Sequence, residues 1–414
     1  METFIDQLLS ELKQNILPFW LRYGRDTGSK GFYAYLDNDL CGNRLVPRSV
    51  VMTARHLWTY SAAAIALSDR QWLSGAAYAY EYLDSYSDWV FGGMYWTIGV
   101  DGSPSDTRKQ IYGQAFAIYG MSEYARALFF FGDTAQAQAV SDKAVTLFNY
   151  LQTYAYDDEY GGYYEALGSS WQPIANTRLS DVDMNCDKSM NTNLHVLEAL
   201  TALLRVVRLL RPEAEKAVQD ALESLITVTT ERICGKDFHL DLFFTREWTA
   251  MNDIVSFGHD IEASWLLWEA ACEVDKQELK EKVRPIVLNM ACVSLKEGFV
   301  GTDEYGALEN EISEGKRDRT RIWWCQAEAL VGFFNAWQLT GEERYRNAVY
   351  QEWRWIQQYQ KDHKGGDWFW AVSSEGIPDR TQAKGGNWKT PYHNARSCME
   401  LLRRIEESSV CSTL

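Results

Sequence analysis

Apolar residues recur at helical spacing through most of the chain, and short phrases of glycine and aromatic residues interrupt them at near-regular intervals. Positions i, i+3, i+4 and i+7 carry the apolar side chains, which is typical of amphipathic helices. This pattern predicts twelve helices, over residues 2–19, 52–68, 71–87, 107–131, 135–153, 187–210, 212–232, 258–274, 276–294, 319–339, 342–360 and 389–407.

The Gly-aromatic phrases divide these helices into six pairs. Clear copies are KGFYAYL (30–36), FGGMYWT (91–97), YGGYYEA (160–166) and KGGDWFWA (364–371), and weaker copies begin at Cys234 and Gly301. Their glycines, at positions 31, 93, 162, 235, 301 and 366, are separated by 62, 69, 73, 66 and 65 residues. Such a period indicates a repeat architecture, and each short phrase predicts a strand or hairpin.

Six helix pairs can bury their apolar faces by closing into a ring, with one helix of each pair inside and one outside. We therefore predict an all-α fold, an (α/α)6 barrel in which short β-hairpins connect twelve helices and a single catalytic domain spans residues 1–414. An open α-solenoid is the alternative, because periodicity alone does not show closure.

The helices that follow a Gly-aromatic phrase open with polar and aromatic residues, which identifies them as the inner helices. Their first turns would then meet at one mouth of the barrel, where helix N-termini favour a developing negative charge. The residues placed there are Arg55, Tyr112, Asn191, His195, His259, Glu262, Trp324, Glu328, Trp388 and His393.

The charge balance and the cysteines narrow the possible partners and compartment. A formal net charge of -16 argues against nucleic acid or an anionic membrane as a partner. No two of the eight cysteines form a CxxC pair, which is typical of reduced cytoplasmic thiols. No apolar run approaches the ~18 residues of a membrane span. We predict a cytoplasmic protein without a membrane partner, either a monomer or a weak homo-oligomer.

Three of the six histidines fall in the inner-helix openings: His195, His259 and His393. The other three, His56, His239 and His363, are assigned to structure or surface. No pair has HxH, HxxxH or HExxH spacing, and no dinucleotide, P-loop or GxSxG motif is present. The spacing therefore disfavours a metal centre and a nucleotide site, although three histidines from distant helices could still converge on a metal ion.

Two kinds of sugar chemistry remain open. Glycoside hydrolysis needs two carboxyl groups across a cleft, and Glu262, Glu328 and Asp187 are the candidates. Histidines, however, dominate the predicted cavity. A histidine pair can remove a C–H proton beside a carbonyl and return one to the other face, because the pKa of an imidazole is ~6.5. That reaction is an epimerisation.

Long segments of the chain resemble the N-acylglucosamine 2-epimerase superfamily: MNTNLHVLEAL (190–200), FGHDIEASWL (257–266), TRIWWCQAEALVGFFNA (320–336) and NWKTPYHNARSCMELL (387–402). The resemblance covers nearly the whole chain. It implies an (α/α)6 barrel that needs no metal or cofactor. It further implies C2 epimerisation of the reducing-end glucose of a β-1,4-linked disaccharide through a cis-enediolate.

The resemblance also implies roles for the predicted cavity residues. His259 and His393 are similar to the family's general acid/base pair, and His195 to its third cavity histidine. Glu262 is similar to an acidic residue that assists ring opening or orients a histidine. The substrate-binding positions are Arg55, Tyr112, Asn191, Trp324, Glu328 and Trp388.

Relatives with other activities keep two alternatives open. An aldose–ketose isomerase acting on mannose could return the proton to C1 from one base, and an N-acylglucosamine 2-epimerase would act on an amino sugar. The longest irregular segment, 168–189, is expected to be a surface loop, with a lid as the alternative.

Overall fold

The computed structural model describes residues 2–411, and the side chains of 3–408. Twelve helices follow one another in this part of the chain. Most outer helices end in a π-helical turn, so their ranges include that turn. The helices are α1 (2–24), α2 (Val50–Ala66), α3 (70–86), α4 (Ile111–Phe130), α5 (134–155), α6 (Met190–Leu210), α7 (212–233), α8 (Phe257–Val274), α9 (277–298), α10 (Trp323–Thr340), α11 (343–360) and α12 (Tyr392–Cys411).

The even-numbered helices form a closed inner ring. Helix α2 packs on α4, α4 on α6, and so on through α8, α10 and α12, which packs back on α2. Each odd-numbered helix packs outside an inner one: α3 on α2, α5 on α4, α7 on α6, α9 on α8, α11 on α10 and α1 on α12. The predicted (α/α)6 barrel is confirmed, and the open solenoid is excluded.

Short strands join neighbouring repeats around the inner-helix starts. The strand before each inner helix pairs antiparallel with a strand of the next Gly-aromatic phrase, and the last pairs with the first. The pairs are Arg48–Ser49 with Thr97–Ile98, Lys109–Gln110 with Ala166–Leu167, Lys188–Ser189 with Phe243–Phe244, Val255–Ser256 with Glu311–Ser313, Arg321–Ile322 with Ala371–Val372, and Gly385–Gly386 with Tyr35–Leu36. Four further strands are Pro104–Asp106, Phe299–Gly301, Gly306–Leu308 and Lys316–Asp318.

These strands explain where the predicted helix boundaries were wrong. The expected helices 107–131, 187–210 and 319–339 start too early, because the residues before α4, α6 and α10 form a strand ladder. Such a ladder depends on a partner in the next repeat, which local periodicity does not reveal. Helix α1, in contrast, continues five residues beyond the predicted end at 19, to residue 24.

Buried ion pairs fix the inner-helix starts in four repeats. Each pair joins an aspartate that shortly precedes a Gly-aromatic phrase to a basic residue at, or just before, the start of the strand that leads into the next inner helix, at 2.7–2.9 Å. Buried pairs of this kind are costly to break singly where the remaining charge has no other partner, as at Asp88 and Asp362. Asp26 and Asp157 each bind a second arginine, Arg44 and Arg246. The pairs are Asp26–Arg48, Asp88–Lys109, Asp157–Lys188 and Asp362–Lys384.

The glycines of the four clear phrases adopt a left-handed backbone, with φ of 70° to 79° at Gly31, Gly93, Gly162 and Gly366. The glycines at 235 and 301 in the weaker copies do not, and at the fourth copy Phe238 takes this conformation with φ of 68°. The repeat is therefore real, but those two glycines are not equivalent to the others.

No helix within residues 2–411 is both long enough and apolar enough to cross a membrane.

Candidate active site

The first two turns of the inner helices bring the predicted site residues to one mouth of the barrel. Aromatic and hydrogen-bond contacts link them around the ring, from α2 through α4, α6 and α12 to α10 and α8. Asn191 lies in the first turn of α6, and Trp388 lies in the segment just before α12. The strand ladder sets where these helices start, and it therefore sets where these side chains lie.

All three cavity histidines are anchored through Nδ1. The partner is the Glu198 carboxylate for His195, at 2.8 Å, and the Glu328 carboxylate for His393, at 2.7 Å. For His259 it is the hydroxyl of Ser256, at 2.8 Å. A carboxylate partner fixes the tautomer, because Nδ1 then carries the proton and Nε2 the lone pair.

The Nε2 atoms distinguish these histidines from the structural ones. His56 is stacked on Phe32 at 3.8 Å, and its Nε2 is enclosed without a partner. The Nε2 atoms of His195, His259 and His393 are not enclosed in this way, and no described residue hydrogen-bonds to them. They are therefore free to meet a substrate.

Burial keeps the three imidazoles neutral. Burial, with a smaller contribution from the neighbouring His195, lowers the pKa of His259 to about 3. The pKa of His393 lies well below its ordinary value because of burial and the nearby Arg55 and Arg396 charges. The pKa of His195 is also lowered, mainly by burial. Neutral imidazoles near neutral pH are available as bases.

A buried cluster around Arg396 supports the histidines from below. Its guanidinium donates to Glu198, to Glu262 at 2.7 Å and to Glu328 at 2.8 Å. The hydroxyl of Tyr392 donates to Glu198 at 2.5 Å. Arg396 therefore connects the carboxylate behind His195 to the carboxylate behind His393.

Glu198, Tyr392 and Arg396 were missed by the sequence prediction, although a signal was present. Each cavity histidine is followed three positions later by a charged residue, in HVLE, HDIE and HNAR. That spacing puts both side chains on one face of the helix. Only the His259–Glu262 example was used, and the same reasoning would have found Glu198 and Arg396.

The pKa values of Glu262 and Glu198 are shifted in opposite directions. Burial and the neighbouring Glu328 charge raise the pKa of Glu262. Burial would also raise the pKa of Glu198, but the Arg396 charge and the hydrogen bond from His195 lower it below its ordinary value. Glu198 is therefore the ionised partner of Arg396.

The position of Glu262 differs from one expectation. Its hydrogen bond goes to Arg396, and no hydrogen bond joins it to His259. Ser256, from the strand that precedes α8, orients His259 instead. Glu262 therefore contributes to the buried cluster rather than to the orientation of its own helix's histidine.

Arg55 organises the wall opposite His259. It donates to the Tyr112 hydroxyl at 2.8 Å and to the Trp388 carbonyl at 2.9 Å. The Tyr112 ring lies 5.0 Å from His195 and 6.1 Å from Trp388, measured between centroids. Asn191 has a side-chain oxygen that no described group satisfies. These residues provide donors and acceptors suited to hydroxyl groups.

Trp324 contacts both histidines of the predicted pair. Its ring centroid lies 4.7 Å from that of His259 and 5.8 Å from that of His393. The adjacent Trp323 is buried against Trp370 at 4.6 Å, so only one of the two neighbouring tryptophans is half-exposed in the site.

The carboxylates do not have the arrangement that glycoside hydrolysis needs. A carboxylate oxygen of Glu262, one of Glu328 and a ring nitrogen of His393 all lie within 4.8 Å of one another. The Arg396 guanidinium also binds both glutamates. Hydrolases place their two carboxyl groups on opposite sides of the scissile bond, about 5 Å or more apart. The third candidate, Asp187, is exposed and accepts from the Arg246 backbone.

Glu262, Glu328 and His393 would be the ligands if a metal ion bound here. Arg396, however, already supplies a positive charge to both glutamates, and Nδ1 of His393 is hydrogen-bonded to Glu328. A metal ion would have to displace these interactions. The predicted independence from metal stays a prediction.

Comparison with known proteins gives a consistent result. Residues 31–397 match the family model described as N-acylglucosamine 2-epimerase. The chain is similar to a cellobiose 2-epimerase of Bacteroides fragilis, with 39% identity over 97% of this chain and 99% of that protein. The solved cellobiose 2-epimerase of Bacillus thermoamylovorans B4167 is 35% identical with a TM-score of 0.89, over 98% of this chain and 100% of that one. A D-mannose isomerase structure, 19% identical with a TM-score of 0.79 over 97% and 98% of the two chains, shares the fold.

Proposed function

Because the chain belongs to the N-acylglucosamine 2-epimerase family, we propose that it converts the reducing-end glucose of β-1,4-linked disaccharides, such as cellobiose or lactose, to mannose. The observation that carries this proposal is the set of three histidines, each anchored at Nδ1 and free at Nε2. A similar chain length and fold in proteins named cellobiose 2-epimerase support the choice of a disaccharide.

In the proposed mechanism, His259 and His393 face C2 of the ring-opened sugar from two sides. As the ring opens, Nε2 of one histidine takes the O1 hydroxyl proton while water protonates O5. Nε2 of the other histidine then takes the C2 proton, which gives a cis-enediolate, and the first histidine delivers its proton to the opposite face of C2. Ring closure returns the proton of the second histidine to O1 and releases the O5 proton to water. Low pKa values keep both bases neutral before the reaction. The Glu328 carboxylate behind His393 stabilises the imidazolium that forms there.

The remaining cavity residues are proposed to bind sugar oxygens. Arg55 and His195 lie beside Tyr112 and would stabilise the charge that develops on O1 or O2. Asn191 offers an unsatisfied side-chain oxygen to a hydroxyl group. Half-exposed Trp388 would stack on the second sugar, since a flat aromatic face suits the C–H groups of a pyranose.

We also propose that the enzyme works without a metal or organic cofactor, in the cytoplasm, and as one catalytic domain over residues 1–414. The proposed independence from a metal ion is supported by Arg396, which supplies the positive charge that a metal ion would otherwise provide to Glu262 and Glu328.

An aldose–ketose isomerase is the second candidate, because the same histidines could return the proton to C1. The decisive experiment is incubation of the EDTA-treated protein with cellobiose, lactose, mannose and N-acetylmannosamine in D2O, followed by NMR. We expect deuterium at C2 and a mannose-configured reducing end from cellobiose. Fructose from mannose would favour the isomerase, epimerisation of N-acetylmannosamine alone would favour the amino-sugar enzyme, and free glucose from cellobiose would indicate hydrolysis.

A further inference from the structure

A second cavity, of about 810 Å³, lies at the end of the barrel opposite the histidines. It is formed by the middle and C-terminal parts of the inner helices. Glu198 and Arg396 line it from the inner end. Glu198 also anchors His195, and Arg396 binds the Glu328 carboxylate that anchors His393. The volume lies within the ~300–1,000 Å³ usual for small-molecule sites.

Aromatic side chains provide much of the wall. Trp58 and Tyr119 stack on each other at 5.2 Å with nearly parallel rings. Trp265 and Trp268, one turn apart on α8, also line the cavity, and Trp268 is half-buried. Flat apolar faces in a polar cavity are suited to ligands with both C–H and hydroxyl surfaces.

Most charged groups of the wall are paired with one another. Arg126 binds Glu123 at 2.5 Å, and Arg205 binds both Glu269 and Glu273 at 2.6 Å. Further along the wall, Arg403 binds Glu400 at 2.6 Å. An anionic or cationic ligand would find its countercharge already engaged, so this pairing favours a neutral ligand.

The side-chain amide of Asn335 brings a hydrogen-bond donor to the wall that no described residue accepts. Asn335 is only 3% exposed, and its Oδ1 accepts from Arg404 at 3.0 Å. Its Nδ2 donates to no described residue, and it is not among the enclosed unsatisfied atoms. A buried amide with a free donor needs a partner from the cavity.

From these observations we propose that this cavity is a second carbohydrate-binding site, separate from the catalytic one. A neutral sugar matches its aromatic faces, its paired charges and the free amide donor of Asn335. Since Glu198 and Arg396 belong to both sites, a bound sugar there would alter turnover at the histidines. The proposal does not depend on which sugar reaction the histidines catalyse.

Methyl β-cellobioside tests the proposal, because its blocked anomeric carbon cannot ring-open and binding is measured without turnover. Calorimetric titration of the full-length protein should reveal a binding event that survives Trp388→Ala. In Trp268→Ala that event should weaken about tenfold or more, from the loss of one aromatic face. Trp337→Ala is the matched control, since Trp337 is also a half-buried inner-helix tryptophan but does not line the cavity.

A second variant keeps the proposal testable if Trp268→Ala does not fold. Ala62→Leu narrows the cavity from α2 without removing an aromatic ring, and it should weaken the same event, with the fold checked by circular dichroism. Absence of any binding to the wild-type protein would overturn the proposal. So would loss of all binding in Trp388→Ala, or full binding in a folded Trp268→Ala or Ala62→Leu protein.

Discussion

Replacing Arg396 by methionine should destabilise the protein in a strongly pH-dependent way. The side chain is 1% exposed, and it bonds Glu198, Glu262 and Glu328 from the centre of the barrel. Methionine has a similar length and no charge, so the variant removes the cation while keeping most of the volume. The buried carboxyl groups of Glu198, Glu262 and Glu328 are then left without their shared guanidinium.

The magnitude follows from the proton that one of these groups must bind. Glu198, whose pKa is lowered in the intact cluster, would become protonated in the folded variant. Above its ordinary pKa of 4.5, keeping a carboxyl protonated on folding costs about 1.4 kcal/mol per pH unit. The free energy of unfolding should therefore fall by about 4 kcal/mol near pH ~7.5 and by about 1.4 kcal/mol near pH ~5.5. A carboxyl group whose pKa is raised in the folded state stabilises that state less as the pH rises. The loss in the free energy of unfolding is therefore larger at the higher pH.

Urea denaturation at these two pH values, followed by tryptophan fluorescence, measures the effect. Arg403→Met is the control, since that side chain is 43% exposed and binds Glu400 and Glu407 near the surface. Its cost should stay below about 1 kcal/mol at both pH values. Equal destabilisation by the two substitutions, or a cost for Arg396→Met that does not change with pH, would refute the reasoning.

Four further outcomes are expected. His393→Asn should lower kcat by about 100-fold or more, because one proton-transfer group is lost, while the circular dichroism spectrum stays native; activity near that of the wild type would remove this residue from the proposed pair. Ser256→Ala should lower kcat less, by about tenfold, because His259 keeps its position on α8 but loses its Nδ1 partner. With the pKa of His259 at about 3, kcat/KM should stay level between pH ~8 and ~5, and a sharp fall near pH ~6.5 would contradict the neutral-base assignment. Lys109→Met should cost about 3–5 kcal/mol in thermal or urea unfolding, because it leaves the buried Asp88 carboxylate without its ion-pair partner; a cost below about 1 kcal/mol, as at an exposed pair, would contradict a structural role.

The sequence by itself determined the twelve helices, their pairing and which helix of each pair is inside. These features are local or repeated: amphipathic spacing is visible within one helix, and the Gly-aromatic phrase recurs about every 65 residues. The three cavity histidines could be selected for the same reason, because each lies near the start of an inner helix.

Only the tertiary structure decided the closure of the ring and the partners of the charged residues. Arg396 meets Glu198 across 198 positions of sequence, and a charge three residues after a histidine fits an exposed helix face equally well. The strand pairs between repeats, the anchoring of His259 by Ser256 and the second cavity arise in the same way. Each depends on groups brought together by the closed ring, and no local pattern specifies which of them meet.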